Sequence, residues 1–180
     1  DAQKGIINYH LKSRITQDED DARKYWVIRR ESFNLFRHHA GGKHTAPFID
    51  DFVVLPKFLP EFLPKLEAIL NPYKKMMTYT IAGHVGDGNF HIIPLVDLKD
   101  PRIRQAIPEL SKKVYDLVFK YKGSMAAEHN DGLIRGPYLK DMFGEDIYQL
   151  FKKVKTIFDP KDIFNPYKKV DATFEYSLSH

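Results

Sequence analysis

A glycine-rich stretch with a histidine near each end constrains the fold of this 180-residue chain more than any other feature. Residues Gly83–His91 read Gly-His-Val-Gly-Asp-Gly-Asn-Phe-His, and the runs 76–82 and 90–96 on either side are rich in β-branched and aromatic residues. Gly, Asp and Asn supply the positive φ angles that a tight chain reversal needs. The stretch therefore predicts the tip of a β-hairpin, with one histidine at each flank of the turn.

Two amphipathic helical patterns lie on either side of this hairpin. The first covers residues 59–70 and follows a strand predicted at 52–55, and the second covers 103–118 and precedes a short strand predicted at 124–127. Both repeat apolar residues at helical spacing. The order strand, helix, hairpin, helix, strand is that of the ferredoxin-like split βαββαβ arrangement. The sequence therefore predicts an α+β fold with an antiparallel sheet.

Further helical patterns lie toward both ends of the chain. Acidic residues at 18–21 favour a helix N-terminus, so a helix is predicted over 18–39 after a strand at 6–11 and before a loop through Pro47. Another helix is predicted over 146–158, closed by Asp159-Pro160. We expect 1–17 to be the remnant of a preceding subdomain, 18–145 a ferredoxin-like substrate-binding domain and 146–180 a C-terminal helical segment. The chain begins at Asp1 without Met, so we expect an excised piece of a longer protein.

Composition narrows the chemistry that the chain can perform. The absence of cysteine excludes disulfides, cysteine-ligated zinc, iron–sulfur clusters and thiol catalysis within this chain. The net charge of +4 comes from basic residues interspersed with acids, which predicts no nucleic-acid partner. No apolar run approaches the roughly 20 residues of a membrane-spanning helix. We expect a cytoplasmic protein, or one held peripherally at a membrane.

The two hairpin histidines are candidate metal ligands. His84 and His91 are seven positions apart, so their rings could face each other across neighbouring strands about 5 Å apart. A carboxylate, with Glu128 the best candidate, would complete a three-ligand site with open positions, as in catalytic metal centres. Such ligands suit Zn²⁺, Mn²⁺ or Fe²⁺. Hydrogen-bonded structural histidines are the alternative.

The expected sheet order bears on whether this site can form. In an ideal ferredoxin-like sheet the hairpin's first strand lies at the far edge from the last strand, which would leave Glu128 distant from His84. The site therefore requires either a very short last strand or a sheet that is distorted and extended by residues outside this chain.

Three motifs, in this order, resemble the C-terminal, substrate-binding half of FAD-linked oxidases. They are Gly83–His91, then Ala-Glu-His-Asn-Asp-Gly at 127–132, and Phe-Asp-Pro-Lys-Asp-Ile-Phe-Asn-Pro-Tyr-Lys at 158–168. The resemblance spans the chain from about Trp26 onward. That family holds D-lactate, D-2-hydroxyglutarate and glycolate dehydrogenases, so the resemblance implies part of an FAD-dependent oxidoreductase that oxidises a 2-hydroxy acid.

The resemblance also implies roles for individual residues. His129 would be the general base that takes the substrate hydroxyl proton. A guanidinium would bind the substrate carboxylate, and Arg29 matches the position where the family places it. Arg135 is a second candidate, although a surface salt bridge explains that residue equally well. The family positions give His84, His91 and Glu128 as metal ligands, His129 as base, Arg29 as substrate-binding residue and Asn165 as flavin contact.

Two departures from the family pattern bear on the substrate. The lysine that some members supply has no counterpart near residues 49–51, which argues against D-2-hydroxyglutarate. Asn130 stands where glycine usually follows the Glu-His pair. Together with Pro137-Tyr138-Leu139, the run 130–135 is more similar to a branch in which the flavin module is joined to an iron–sulfur segment. That branch implies an iron–sulfur electron acceptor.

The implied mechanism assigns the chemistry to parts inside and outside this chain. FAD would be held mainly by an FAD-binding domain of the same protein that is absent from this chain, and segment 146–180 would close toward the flavin. A divalent metal would lower the pKa of the substrate hydroxyl, while flavin accepts hydride from the α-carbon. The chain alone would then bind metal without turnover. Two alternatives are a metal-dependent hydrolase with the same ligands and a non-catalytic ferredoxin-like interaction module.

Overall fold

The computed structural model describes residues 15–38 and 42–179. The chain forms two compact units, Asp1–Gly41 and Gly42–His180. The first contains helix α1, Glu19–His38, whose acidic first turn complements the partial positive charge of a helix N-terminus. The helix predicted over 18–39 is thereby confirmed. The strand predicted over 6–11 lies outside the described residues, and the domain limits at 17 and 145 stay a prediction.

The second unit combines short strands with helices of very different lengths. Its elements are β1 His44–Thr45, β2 Phe52–Val53, α2 Leu59–Leu70, β3 Thr78–Ala82, β4 Asn89–Val96, α3 Pro101–Lys120, α4 Gly132–Arg135, α5 Leu139–Phe143, α6 Glu145–Phe158 and α7 Phe174–Ser179, with 3₁₀ turns at Pro56–Phe58, Asn71–Tyr73, Val85–Asp87 and Gly136–Tyr138. Helices α2, α3 and α6 lie where the apolar periodicity predicted them.

Strand β4 is the centre of the antiparallel sheet. β3 pairs with it from Thr78↔Leu95 to Ala82↔His91. β1 pairs with the C-terminal end of β4 and β2 with its N-terminal end. The α+β class with an antiparallel sheet is therefore confirmed. The loop predicted up to Pro47 is wrong at β1, because a two-residue strand carries no periodicity that sequence could reveal.

The last predicted strand is much shorter than 124–127. It consists of a single antiparallel bridge between Val53 and Ser124. Both backbone hydrogen bonds of that bridge form, at 2.8 Å and 3.0 Å. The pairing sequence β3, β4, β2 and Ser124 follows the ferredoxin-like order, although this arrangement stays an interpretation because one bridge is not a full strand. Glu128 could approach the hairpin only if the last strand were very short or the sheet were distorted. The structure shows the first of these, a very short last strand.

The hydrophobic core lies between the sheet and helices α2 and α3. Phe52 is fully buried, and its ring centroid lies 5.8 Å from that of Phe62 in α2 and 5.7 Å from that of Phe90 in β4. A second buried cluster joins α3 to the chain that follows Ser124, through Tyr115 and Met125. Burial of Met125 fixes the backbone just before the Glu128 segment.

Helix α6 leaves its apolar face exposed within the part of the chain that the structure describes. Its apolar residues Ile147, Leu150, Val154 and Ile157 are between 42% and 73% exposed. Across the described ranges, no helix has both the length and the apolar character to cross a membrane.

Candidate metal centre

The hairpin turn places its two histidines in different backbone settings. β3 ends at Ala82, a 3₁₀ turn follows, and Gly88 at φ 76° leads into β4. A Cβ atom at Gly88 would lie 1.8 Å from the carbonyl oxygen of Val54, so only glycine fits. His91 pairs with Ala82. The expectation that the two rings face each other as cross-strand neighbours is therefore wrong, because His84 lies in the turn itself.

What the two histidines share is the carboxylate of Glu128. Its Oε1 lies 3.3 Å from His84 Nε2, and its Oε2 lies 3.6 Å from His91 Nε2. Two ligands bound at about 2.1 Å to one tetrahedral cation are about 3.4 Å apart. Each histidine thus lies at ligand-like spacing from a different oxygen of Glu128. Among the described residues, the set whose three ligand atoms all lie within 4.8 Å of one another is instead Asp50, His91 and His129. His84 is 55% exposed and Glu128 42%, so the site is open to solvent.

The second ring nitrogen of His91 points to Asp50. Nδ1 lies 3.1 Å from Asp50 Oδ1, at hydrogen-bonding distance. A neutral imidazole carries one N–H, and placing it on Nδ1 leaves the Nε2 lone pair free on the side of Glu128. A carboxylate that accepts from the outer nitrogen commonly orients metal-bound histidines. Asp50 therefore suits His91 for a role as an Nε2 ligand.

A second set of potential ligands shares the same histidine. Ligand atoms of Asp50, His91 and His129 all lie within 4.8 Å of one another. In this set, His91 would bind a cation through Nδ1, the nitrogen next to Asp50. In the set with Glu128, His91 would bind the cation through Nε2. A neutral ring cannot serve both sets, because one of its nitrogens carries the proton. A proton on Nδ1 suits the set with Glu128, whereas the mutual closeness of three ligand atoms belongs to the set with Asp50 and His129.

Asp51 joins the Glu128 segment to the start of β2. Its side chain is fully buried and accepts hydrogen bonds from the backbone amides of Ala127 at 3.0 Å, Glu128 at 3.1 Å and His129 at 2.8 Å. Burial, the largest single influence, would raise the pKa of Asp51, but these amides and the Arg135 charge together bring it below its ordinary value. Asp51 is therefore an ionised acceptor, and it holds Glu128 beside the hairpin.

Arg135 is buried behind this junction. It donates to the carbonyl oxygens of Asp50 at 2.9 Å and Asn130 at 2.5 Å, and it lies 3.9 Å from Asp51 Oδ2. Its guanidinium therefore joins the segment of Asp50, which contacts His91, to the segment that carries Glu128. The predicted contact of Arg135 with substrate stays a prediction.

The remaining predicted site residues lie in three places. The His129 ring centroid is 5.5 Å from that of His91, so the candidate base lies beside the candidate ligands. Arg29 belongs to α1 in the first unit, where its guanidinium lies 5.8 Å from the Trp26 ring centroid. Asn165 has a φ of 48° and lies in the C-terminal loop, residues 159–173 between α6 and α7. It lines a groove of about 660 Å³ together with residues 130–132 and 168–170.

Sequence reasoning missed Asp50, Asp51 and Asn89. Asn89 is buried at the start of β4 and donates to Asp51 Oδ1 at 3.2 Å. One signal was available, since the acidic pair stands between the apolar residues Ile49 and Phe52, both of which are fully buried. An acidic pair with buried neighbours needs partners of its own.

Comparison with known proteins identifies the family. The chain matches a family model described as FAD linked oxidases, C-terminal domain, over residues 3–169. The chain belongs to this family. The match confirms the family expected from the three motifs, and FAD as the cofactor with which the family is linked.

Three relatives illustrate the match, and each is longer than this chain. D-2-hydroxyglutarate dehydrogenases of Pantoea ananatis (strain AJ13355) and Escherichia coli (strain K12) are each 29% identical over 166 residues, which cover 92% of this chain and 16% of the relative. The glycolate oxidase subunit GlcD of Escherichia coli (strain K12) is 27% identical over 157 residues, covering 87% of this chain and 30% of GlcD. The chain thus spans under a third of the length of these relatives.

Proposed function

We propose that this chain is the substrate-binding part of an FAD-dependent dehydrogenase that oxidises a 2-hydroxy acid, with a divalent cation bound by His84, His91 and Glu128. The observation that carries the proposal is the position of Glu128, whose two oxygens lie 3.3 Å and 3.6 Å from the Nε2 atoms of the two histidines. Family membership supplies the link to FAD. Relatives named as dehydrogenases and oxidases of 2-hydroxy acids support the substrate class.

The donor set fits Zn²⁺, Mn²⁺ or Fe²⁺. It offers two imidazoles and one carboxylate in an open site, as catalytic metal centres require. When bound there, the cation would polarise the hydroxyl and carboxylate of the substrate and lower the pKa of that hydroxyl. Asp50 keeps the Nε2 lone pair of His91 directed toward the site through the contact at 3.1 Å.

His129 is the proposed general base. Its ring lies beside His91, at a centroid distance of 5.5 Å, and its side chain is exposed to the open site. An imidazole there can accept the hydroxyl proton of a substrate held at the neighbouring ligands. FAD, held mainly by a domain outside this chain, would accept the hydride from the α-carbon.

Substrate and flavin contacts complete the proposal. Arg29 is the proposed partner of the substrate carboxylate, because the Nη donors of Arg135 already bind the carbonyls of Asp50 and Asn130. Asn165 is the proposed flavin contact from the C-terminal loop. The exposed apolar residues of α6 support packing of segment 146–180 against the FAD-binding domain of the same protein. An iron–sulfur segment is the proposed electron acceptor.

Calorimetric titration of the chain with Zn²⁺ and with Mn²⁺ tests the metal site. We expect a single tight site that Glu128→Gln removes and that Glu145→Gln leaves intact. Glu145 is a matched control because its carboxylate is also about half exposed and pairs only with Lys140 and Gln149 in the described structure. Absence of metal uptake would contradict the proposal and favour a non-catalytic module.

Substrate binding and turnover test the rest. D-2-hydroxyglutarate, D-lactate and glycolate are titrated into the chain with and without metal, and we expect at least one to bind only when metal is present. The chain alone should not reduce a dye with any of them. Dye reduction without an FAD-binding domain would contradict the assignment of hydride acceptance to FAD. Metal-dependent ester or phosphoester hydrolysis would favour the hydrolase alternative.

A further inference from the structure

We propose that Asp51 is the positioning residue that sets the distance of Glu128 and His129 from the hairpin histidines. Over the residues that the structure describes, the amides of Ala127, Glu128 and His129 have no hydrogen-bond acceptor other than the Asp51 carboxylate. The proposal deepens the proposed function, because the effect of Asp51 on metal binding rests on the metal site described above.

The regular sheet stops before the site is reached. The bridge at Ser124 is the last backbone pairing of this segment with β2, and the side chains of 127–129 are exposed. Packing therefore does not fix the three residues that carry the proposed ligand and base. Their position depends on the hydrogen bonds of their backbone, and Asp51 accepts all three.

The same carboxylate also contacts the hairpin strand. Asn89, two residues before His91 in β4, donates to Asp51 Oδ1 at 3.2 Å. The preceding residue, Asp50, contacts His91 itself. One rigid junction therefore contacts both the strand that carries His91 and the segment that carries Glu128. Its rigidity follows from the burial of Ile49 and Phe52 on either side.

The chemistry of the junction requires an aspartate. Its neighbours are all donors: three backbone N–H groups, the side-chain amide of Asn89, and the guanidinium of Arg135 at 3.9 Å. An ionised carboxylate accepts at both oxygens, whereas an asparagine would turn an NH₂ group toward one set of donors. Asp51→Asn therefore preserves the shape of the side chain and replaces one of its two accepting oxygens with an NH₂ group, which cannot accept a hydrogen bond from the amides.

The test compares Asp51→Asn with Asp159→Asn. Asp159 is a matched control because it is buried, accepts the loop amides of Ile163 and Phe164, and pairs with a cation, Lys155, all within residues 155–164. Two quantities are measured, the affinity for Zn²⁺ and the amide hydrogen exchange of residues 127–129 in the metal-free chain. Exchange is also measured in Glu128→Gln, which removes the ligand but not the amide contacts.

We expect Asp51→Asn to lower Zn²⁺ affinity by about 10- to 100-fold, as for other residues that orient a ligand without touching the metal, and to accelerate exchange at 127–129. Asp159→Asn should change neither quantity, and Glu128→Gln should lose affinity while its amides stay protected. Unchanged affinity or unchanged exchange in Asp51→Asn would overturn the positioning role.

Two further outcomes separate this proposal from the function on which it rests. If the wild-type chain binds no Zn²⁺, the proposed metal site fails, and exchange at 127–129 alone decides whether Asp51 holds the segment. If Asp51→Asn does not fold, the wild-type chain still decides, because unprotected amides at 127–129 would overturn the proposal and protected ones would support it.

Discussion

Asp51 accepts a hydrogen bond of 2.8 Å from the backbone amide of His129, which lies 78 residues further along the chain. Through this contact the end of the irregular segment after Ser124 lies next to the N-terminal end of β2. Because β2 pairs with β4, the same contact places Glu128 next to His91. The candidate site is therefore assembled by a tertiary contact between three distant parts of the sequence.

Replacing Asp50 with asparagine tests how His91 is oriented. Asp50→Asn should lower Zn²⁺ affinity by about 10- to 100-fold, because the ring loses the carboxylate that holds its proton on Nδ1. His91→Ala should lower the affinity further, since it removes a ligand. Asp97→Asn is the control, because Asp97 is an exposed acid at the other end of β4 whose carboxylate caps the amide of Lys99. Equal losses in Asp50→Asn and Asp97→Asn would show that only overall charge matters.

The turn itself can be tested at two of its glycines. Gly88→Ala should destabilise the fold by roughly 3 kcal/mol, because the residue has φ 76° and a Cβ would overlap the Val54 carbonyl. Gly86→Ala should cost under about 1 kcal/mol, since no atom lies within 4 Å of a Cβ there. Urea unfolding of both variants measures the difference. Similar stabilities would contradict the described path of the turn.

The elements that sequence predicted well are those whose own residues carry a period. Helices α2, α3 and α6 repeat apolar residues at helical spacing, and the hairpin is marked by glycines between two β-prone runs. The apolar run at 52–55 predicts β2, although the strand spans only Phe52–Val53. β1 also spans two residues, and it lies outside any apolar run, so neighbours in space rather than local sequence decide that strand.

The residues of the candidate site likewise include some that sequence could predict and some that it could not. His84, His91 and Glu128 could be selected from motifs, and the structure brings them together. The sequence could not show how Glu128 reaches the hairpin, because that depends on the truncated last strand and on Asp51. A buried acid that accepts backbone amides leaves no periodic or motif signal, and it is recognised only once its partners are known.

His129→Gln tests the role of the proposed base. In a protein that also carries the FAD-binding domain, the variant should lower the turnover of a 2-hydroxy acid by about 100- to 10,000-fold, because a positioned proton acceptor is lost. Zn²⁺ affinity should stay unchanged, since His129 is outside the proposed ligand set. Loss of the metal together with turnover would instead place His129 among the ligands, with Asp50 and His91.

The acid sensitivity of the C-terminal loop follows from Asp159. The hydrogen bond from Lys155 and the amides of Ile163 and Phe164 hold its pKa below the ordinary value of 3.8, despite an opposing influence of burial. A lowered folded-state pKa stabilises the fold above the unfolded-state value, and this stabilisation is lost as the pH falls through the folded-state pKa.

Urea unfolding of the wild type and of Asp159→Asn, measured at several pH values between 2 and 7, checks this expectation. The difference in unfolding free energy should be largest above about pH 5 and should shrink as the pH falls below 3.8. Other carboxyl groups titrate in both proteins and cancel in the difference. A gap that is independent of pH would contradict the assigned role of Asp159.

Crystals of the chain grown with Zn²⁺ test the account most directly, through anomalous scattering at the zinc edge. We expect one strong peak, about 2.1 Å from the Nε2 atoms of His84 and His91 and from a carboxylate oxygen of Glu128. A peak between Asp50 and His129, or no peak beside the hairpin in crystals soaked to saturation, would contradict it.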